Sequence, residues 1–118
     1  MVEELGKESH DYTSVGLLPN KQKWEMLSKE LKVAVAIQTL NNSGEIPHFT
    51  SITRYLLKFN VMSKTAIHNA LDHLIDLGTI DAEWINEDNK WVRRFSVIGE
   101  SWEFINKLID ELYIYTPT

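Results

Sequence analysis

TSITRYLLKFNVMSKTAIHNALDHLIDLG, residues 50–78, predicts two short amphipathic helices joined by a tight break. Thr50 or Ser51 can cap the first helix, because a hydroxyl there accepts a bond from an unpaired helix N–H. Asn60 suits the break, because asparagine tolerates positive φ better than most residues. The first helix carries one apolar stripe at helical spacing: Ile52, Tyr55, Leu56 and Phe59.

The second helix of the pair has a start signal and a stop signal of its own. Ser63 is placed to cap it, and Gly78 is placed to end it in the left-handed conformation that glycine adopts most easily. Its apolar stripe consists of Ile67, Ala70, Leu71, Leu74 and Ile75. We therefore expect both helices to pack on one core, with Leu71 within it.

The following stretch, TIDAEWINEDNKWVRRFSVIG at residues 79–99, predicts a β-hairpin. Ile80, Ala82 and Trp84 alternate with acidic residues, which is the period of a half-buried strand. We predict a turn over residues 86–89, a returning strand over 90–98, and a last helix over 102–115 capped by Ser101. Helix, turn, helix and hairpin in this order predict an α+β, mainly helical, winged helix-turn-helix domain, with a three-helix core, a hairpin wing and a C-terminal helix.

The segment before the pair predicts one further helix over residues 21–41, with Trp24, Leu27, Leu31 and Ala34 at helical spacing. Its run VAVAI could form a strand by side-chain branching alone, but the flanking helical pattern favours a helix that is buried on more than one side. We divide the chain into a flexible N-terminal tail (1–20), the winged helix-turn-helix domain (21–100) and the C-terminal helix (101–118).

Composition limits the class of protein. The 118 residues have a hydrophobic content of 43%, which suits one modest core, and they include no cysteine, so neither a disulfide nor a thiolate site is possible. No apolar run approaches a membrane span, and the acidic N-terminus does not resemble a signal peptide. We expect a cytoplasmic protein without membrane contact.

The net charge of −5 argues against a non-specific coat protein for nucleic acids. The acidic excess lies outside the helix pair and hairpin, because residues 46–98 contain 6 basic and 6 acidic groups. A neutral module can bind DNA when its basic groups collect on one face.

Polar side chains crowd the N-terminal half of the second helix, where a recognition helix usually reaches base edges. Asparagine can pair with adenine, threonine can contact a thymine methyl group, and lysine can reach guanine or phosphate. The alternative is an ordinary solvated helix face. The candidate base-reading residues are Ser63, Lys64, Thr65, His68 and Asn69.

Five cations are candidates for contact with DNA phosphates: Arg54, Lys58, Lys90, Arg93 and Arg94. Arg93 and Arg94 occupy adjacent strand positions, so they point to opposite faces of the hairpin. At most one can face the groove of the DNA unless the strand is bulged. Glu87 and Asp88 at the predicted tip would repel phosphate.

The last helix is apolar over about half its circumference. We expect the surplus to form a homodimer interface, since two-fold dimers suit paired half-sites. The alternative is that this helix folds back on the first helix. The candidate interface residues are Trp102, Ile105, Leu108, Ile109, Leu112 and Tyr113.

Enzyme signatures are lacking in this sequence: it has neither a glycine-rich phosphate loop nor a nucleophile motif. His68 and Asp72 share a helix face, but a solvated or DNA-facing histidine is the favoured interpretation over a metal ligand. We expect no catalysis, no cofactor and no metal, and the sequence does not identify a small-molecule effector.

From Lys32 to Leu112 the chain resembles the winged helix-turn-helix transcription regulators of prokaryotes, including the MarR, PadR and ArsR-like groups. The resemblance rests on the helix pair, the segment LDHLIDLGTI ending at Ile80, and the return strand KWVRRFSVIGE. It implies that the candidate base-reading residues contact bases and that the phosphates are contacted by Arg54, Lys58, Arg93 and Arg94.

Two functions follow as hypotheses. The first is a sequence-specific regulator that binds double-stranded DNA as a homodimer. The second is a winged-helix module that binds another protein and has no DNA-binding activity. Winged helices serve both purposes, so the fold does not decide between them.

Overall fold

The computed structural model describes residues 21–59 and 62–112. The elements along the chain are helices α1 (Lys21–Glu25), α2 (Lys29–Asn42), α3 (Phe49–Phe59) and α4 (Lys64–Asp76), strands β1 (Ile80–Glu87) and β2 (Lys90–Val97), and helix α5 (Glu100–Leu112). The α+β, mainly helical class with one antiparallel hairpin and a C-terminal helix is confirmed. The predicted N-terminal tail, the break at Asn60 and residues 113–118 lie outside the described residues.

The single helix predicted over residues 21–41 is wrong, because the chain breaks between α1 and α2. Ser28 has extended dihedral angles there, and its hydroxyl accepts a bond from the Leu31 N–H at 3.2 Å. The apolar spacing continues across the break, and this continuity concealed a helix cap.

Helix α2 is the centre of the molecule. Its residues 33–40 are buried without interruption, and the helix contacts α3, α4, α5 and β2. The predicted burial on more than one side is confirmed. A helix enclosed in this way fixes the positions of the elements that surround it.

Helices α3 and α4 have the caps that hold their ends. Ser63 caps α4 as predicted, with its hydroxyl accepting the Ala66 N–H at 3.0 Å, and Gly78 follows the helix with φ +76°. For α3 the predicted cap at Thr50 or Ser51 is wrong: the helix begins at Phe49, and the Ser51 hydroxyl reaches back to accept the His48 N–H at 3.0 Å. The predicted stripes are buried at Ile52, Tyr55, Leu56, Ile67, Ala70, Leu71 and Leu74.

The hairpin is longer and its turn tighter than predicted. Glu87 pairs with Lys90, so only Asp88 and Asn89 form the loop, with φ of 53° and 65°. Positive φ at both loop residues is the geometry of a two-residue turn that matches the twist of the strands, and Asp and Asn tolerate it.

One backbone bond joins the hairpin to the link before α3: the Phe95 N–H donates to the Pro47 carbonyl at 2.8 Å. Proline has no N–H with which to return a bond, so Pro47 itself donates nothing to the sheet. This contact and the buried Phe95 ring hold β2 against the helical core.

Helix α5 begins at Glu100, two residues before the predicted start, and it packs against α2 and β2. A buried polar chain links the helices: Gln38 donates to Asn42 at 2.9 Å, and Asn42 donates to Asn106 at 3.1 Å. No helix among residues 21–59 and 62–112 is both long and apolar enough to cross a membrane.

Candidate functional site

We call the candidate base-reading residues the α4 polar face, and this face stands clear of the core: Ser63, Lys64, Thr65, His68 and Asn69. Ile67, Ala70, Leu71 and Leu74 turn one side of α4 inward, and the members of the α4 polar face are all exposed on its N-terminal half. His68 is exposed, but its orientation is fixed, because its ring stacks on Phe49 with 4.1 Å between centroids and 15° between planes. Lys64, Thr65 and Asn69 therefore extend into solvent. The Ser63 hydroxyl is held by its cap bond, and His68 is oriented by its aromatic neighbour.

A groove of about 380 Å³ lies beside this face, between α4, the start of α3 and the hairpin. We call it the α4–hairpin groove. His68 and Asp72 line it from α4, Phe49 lines it from α3, and Arg93 and Phe95 line it from β2. The groove therefore adjoins the α4 polar face and shares His68 with it.

Two tryptophans line the outer part of the α4–hairpin groove. Trp84 and Trp91 project from the same face of the hairpin, because Trp84 pairs with Arg93 and Trp91 lies two residues before Arg93. Each is 66% exposed. The prediction that Trp84 continues the buried alternation of Ile80 and Ala82 is wrong, because at this point the hairpin extends beyond the helices that cover its base.

Arg93 and Arg94 point to opposite faces of the hairpin, as strand geometry requires. Arg93 lies over the Phe95 ring, 5.4 Å from its centroid, on the face that lines the α4–hairpin groove. Arg94 pairs with Glu83 across the strands and bonds its carboxylate on the other face. Lys90, opposite Glu87, belongs to that second face as well. Of the three hairpin cations, only Arg93 belongs to the face that lines the groove.

Arg54 and Lys58 lie elsewhere. They line a separate concavity of about 110 Å³ with Glu45 and Ser51, and none of its lining residues belongs to the α4–hairpin groove. The structure therefore does not gather the five candidate phosphate contacts around one site. Arg93 lies at the groove, Lys64 extends from the α4 polar face, and the other cations occupy separate positions.

The electrostatic character of this region is close to neutral. Asp72 lines the groove with Arg93, so the groove contains one carboxylate for one guanidinium, and Asp76 follows one turn further along α4. Long-range attraction of an anion is weak for such an arrangement. Binding here has to come from short-range contacts.

His73, which lies one turn after Asn69 on α4, has a structural role. His73 Nδ1 lies 3.2 Å from the Glu30 carboxylate at the start of α2. Hydrogen bonding from His73 lowers the pKa of the Glu30 carboxyl. A carboxyl whose pKa is lowered by folding stabilises the fold above its unfolded-state pKa, and this contribution is lost as the pH falls through the folded-state value. The pair positions α4 on α2.

The predicted dimer interface on α5 is wrong in part. Ile105, Ile109 and Leu112 are buried against the rest of the same chain and Leu108 is half-buried, so these side chains form core. The alternative, that this helix folds back on the helix before the pair, holds for them. Trp102 is 50% exposed and Phe104 56% exposed, and Tyr113 lies outside the described residues.

Several site residues were not predicted from the sequence. The groove is lined by Trp84, Trp91 and Phe49. For the two tryptophans, the sequence offers one signal, which is their place among the aromatic residues of the hairpin. Within residues 21–59 and 62–112, no group of three or more histidine, aspartate or glutamate side chains could hold a metal ion. The α4 polar face and the groove provide hydrogen-bonding groups, aromatic faces and few charges, which suits binding of another molecule through short-range contacts.

In comparisons with known proteins, no family model and no curated protein matches this chain.

Proposed function

We propose that the chain is a winged helix-turn-helix transcription regulator that binds double-stranded DNA sequence-specifically, with α4 as the helix that enters the major groove. One observation carries this proposal: the N-terminal half of α4 presents Ser63, Lys64, Thr65 and Asn69 to solvent beside a hairpin. In such proteins the N-terminal residues of the second helix contact base edges, and the hairpin lies alongside.

The proposed contacts divide by role. Asn69 pairs with an adenine, Thr65 contacts a thymine methyl group, and Lys64 reaches a guanine or a phosphate. Arg93 is the phosphate contact of the hairpin, because it shares a face with the groove. Arg94 has no such role in this scheme, since Glu83 holds it on the other face. Arg54 and Lys58 contact the DNA backbone only where it passes the middle and the C-terminal turn of α3.

The charge pattern predicts a particular form of binding. Each phosphate neutralised by a cation adds roughly one unit to the slope of log affinity against log salt. The α4 side has few cations, and Asp72 lies in the groove with Arg93. We therefore expect modest affinity and a shallow slope of log affinity against log salt. Discrimination between sites then depends on hydrogen bonds and methyl contacts to bases.

We expect Asn69→Ala to weaken binding to a preferred duplex, selected from random sequences, by about 1–3 kcal/mol while sparing random DNA. Arg93→Ala should weaken both alike and flatten the salt dependence. Fluorescence anisotropy with both duplexes across a salt titration measures these effects. Arg94→Ala is the matched control, because it removes the same charge from the neighbouring position; an equal loss from Arg93→Ala and Arg94→Ala would contradict the assignment of faces.

A second candidate function is a module that binds another protein, and the position of Asp72 in the groove favours it. A carboxylate there repels a phosphate backbone but accepts hydrogen bonds from a peptide. Absence of duplex binding at low salt and micromolar protein would make this the better proposal.

We further propose a homodimer that uses exposed apolar residues of α5. Phe104 is half exposed one turn before the half-buried Leu108, and Trp102 is half exposed on another flank, because residues two apart do not share a helix face. Ile98, just before the helix, is exposed as well. Light scattering at micromolar concentration should give about twice the chain mass of 13.7 kDa, and Trp102→Asp should shift it toward one chain mass. A wild-type protein that scatters as a single chain at these concentrations would remove the dimer and the expectation of a palindromic site.

A further inference from the structure

The outer α4–hairpin groove presents aromatic surface to solvent. Trp84 and Trp91 are the most exposed tryptophans among the described residues, at 66% each, and both line this groove. Exposed tryptophans that do not pack against their own chain favour planar ligands, since a π-face stacks on any flat ring. A volume of about 380 Å³ falls in the range of sites that hold one small group.

The polar groups of the groove complement a nucleotide. Arg93, which lies over Phe95, offers a guanidinium to a phosphate. Asp72 offers a carboxylate that accepts a bond from an exocyclic amine such as cytosine N4. His68, held by its stack on Phe49, adds a ring nitrogen at the same wall. One cation, one carboxylate and two aromatic faces match the phosphate, the base edge and the base plane.

From this juxtaposition we propose that the α4–hairpin groove binds an unpaired nucleotide of a DNA strand, with its base stacked on Trp84 or Trp91 and its phosphate at Arg93. Stacking needs no net positive charge, so the site suits a chain whose net charge is −5. The inference deepens the proposed function, because it assigns unpaired bases to the groove while α4 contacts paired ones.

The experiment compares three labelled DNA probes of one sequence: a single strand, its fully paired duplex, and the duplex with one unpaired nucleotide. We expect Trp84→Ala combined with Trp91→Ala to weaken binding of the single strand and of the bulged duplex by about fivefold or more. The fully paired duplex should change by less than about twofold, since its bases are not free to stack. Met26→Ala is the control, because it removes an exposed apolar side chain that lies in neither the groove nor the proposed dimer interface.

Two further measurements separate stacking from misfolding. Trp84→Phe combined with Trp91→Phe keeps an aromatic face at each position and should restore single-strand binding. Binding of the single strand should also quench the tryptophan fluorescence of the wild type, and the alanine pair should lose most of that quenching.

The outcomes distinguish this inference from the proposed function. If the wild type binds the single strand and the bulged duplex no more tightly than it binds the paired duplex, the groove inference is overturned and the duplex proposal stands. If the alanine pair binds the single strand as wild type does, the groove is likewise excluded. If the single strand binds through the tryptophans and the paired duplex does not bind, the duplex proposal fails and the groove assignment holds. Absence of binding to all three probes overturns both.

Discussion

Phe95→Ala is expected to lower the free energy of unfolding by about 3–5 kcal/mol, the usual cost of deleting a buried phenyl ring. Phe95 is 3% exposed and belongs to the core cluster with α2 and α4. Its own N–H makes the bond to Pro47, and its ring lies beneath Arg93. The cavity left by alanine would therefore weaken the attachment of the hairpin to the helices.

Urea unfolding measures this loss as a lower midpoint with an unchanged slope. Trp91→Ala is the matched control, because it also deletes an aromatic ring from β2 on the same face, but at an exposed position. The control should change the free energy of unfolding by less than about 1 kcal/mol. Equal losses from the two variants would show that the hairpin is not anchored through Phe95.

Ile109→Ala is the second large effect, with an expected loss of about 2–5 kcal/mol. Ile109 is completely buried within its own chain, on the side of α5 that packs against the rest of the molecule. Its removal should therefore destabilise the fold by the same amount at any protein concentration. Thermal or urea unfolding at two concentrations, with the mass from light scattering, separates core from interface.

Leu57→Ala serves as the control for Ile109→Ala, because Leu57 is a large aliphatic residue on the exposed side of α3. It should cost less than about 0.5 kcal/mol. A different pattern for Ile109→Ala, with intact stability of the single chain and loss of a dimer, would contradict its placement in the core.

The parts of the fold that were predictable have local signals. Ser63 and Gly78 mark the two ends of α4: Ser63 is its N-cap, and Gly78 follows its C-cap with positive φ. The apolar stripe of α3 and the alternation at the start of β1 report which side faces the core, because side-chain periodicity is a property of each element alone. These signals identified the helix pair and the hairpin.

The errors arise where the answer depends on partners distant in sequence. The pairing of Arg94 with Glu83 follows from the strand register, which the predicted four-residue turn would have altered. Exposure of Trp84 depends on where the helices stop covering the hairpin. The apolar arc of α5 appeared to exceed the needs of one core, but three of its members are buried within the chain, where α5 packs against α2 and β2, so the area left for a partner is smaller. Ser28 was overlooked since apolar spacing continues across it.

The α4 polar face is the central element of the proposed function, and its sequence pattern alone does not separate a base-reading helix from a solvated one. The structure adds that this face is unobstructed by the rest of the described chain and adjoins an aromatic groove. Both features are compatible with binding of duplex DNA. The near-neutral charge predicts that the affinity for duplex DNA is modest.

The most direct measurement is a two-dimensional NMR titration of isotope-labelled protein with a pool of random duplex DNA at low salt. We expect amide shifts to concentrate on residues 63–69 and around Arg93, with small changes around Arg94 and along the exposed side of α5. Resonances of 63–69 that stay unmoved while others shift, or a spectrum that does not change at all, would contradict the proposal that α4 binds duplex DNA.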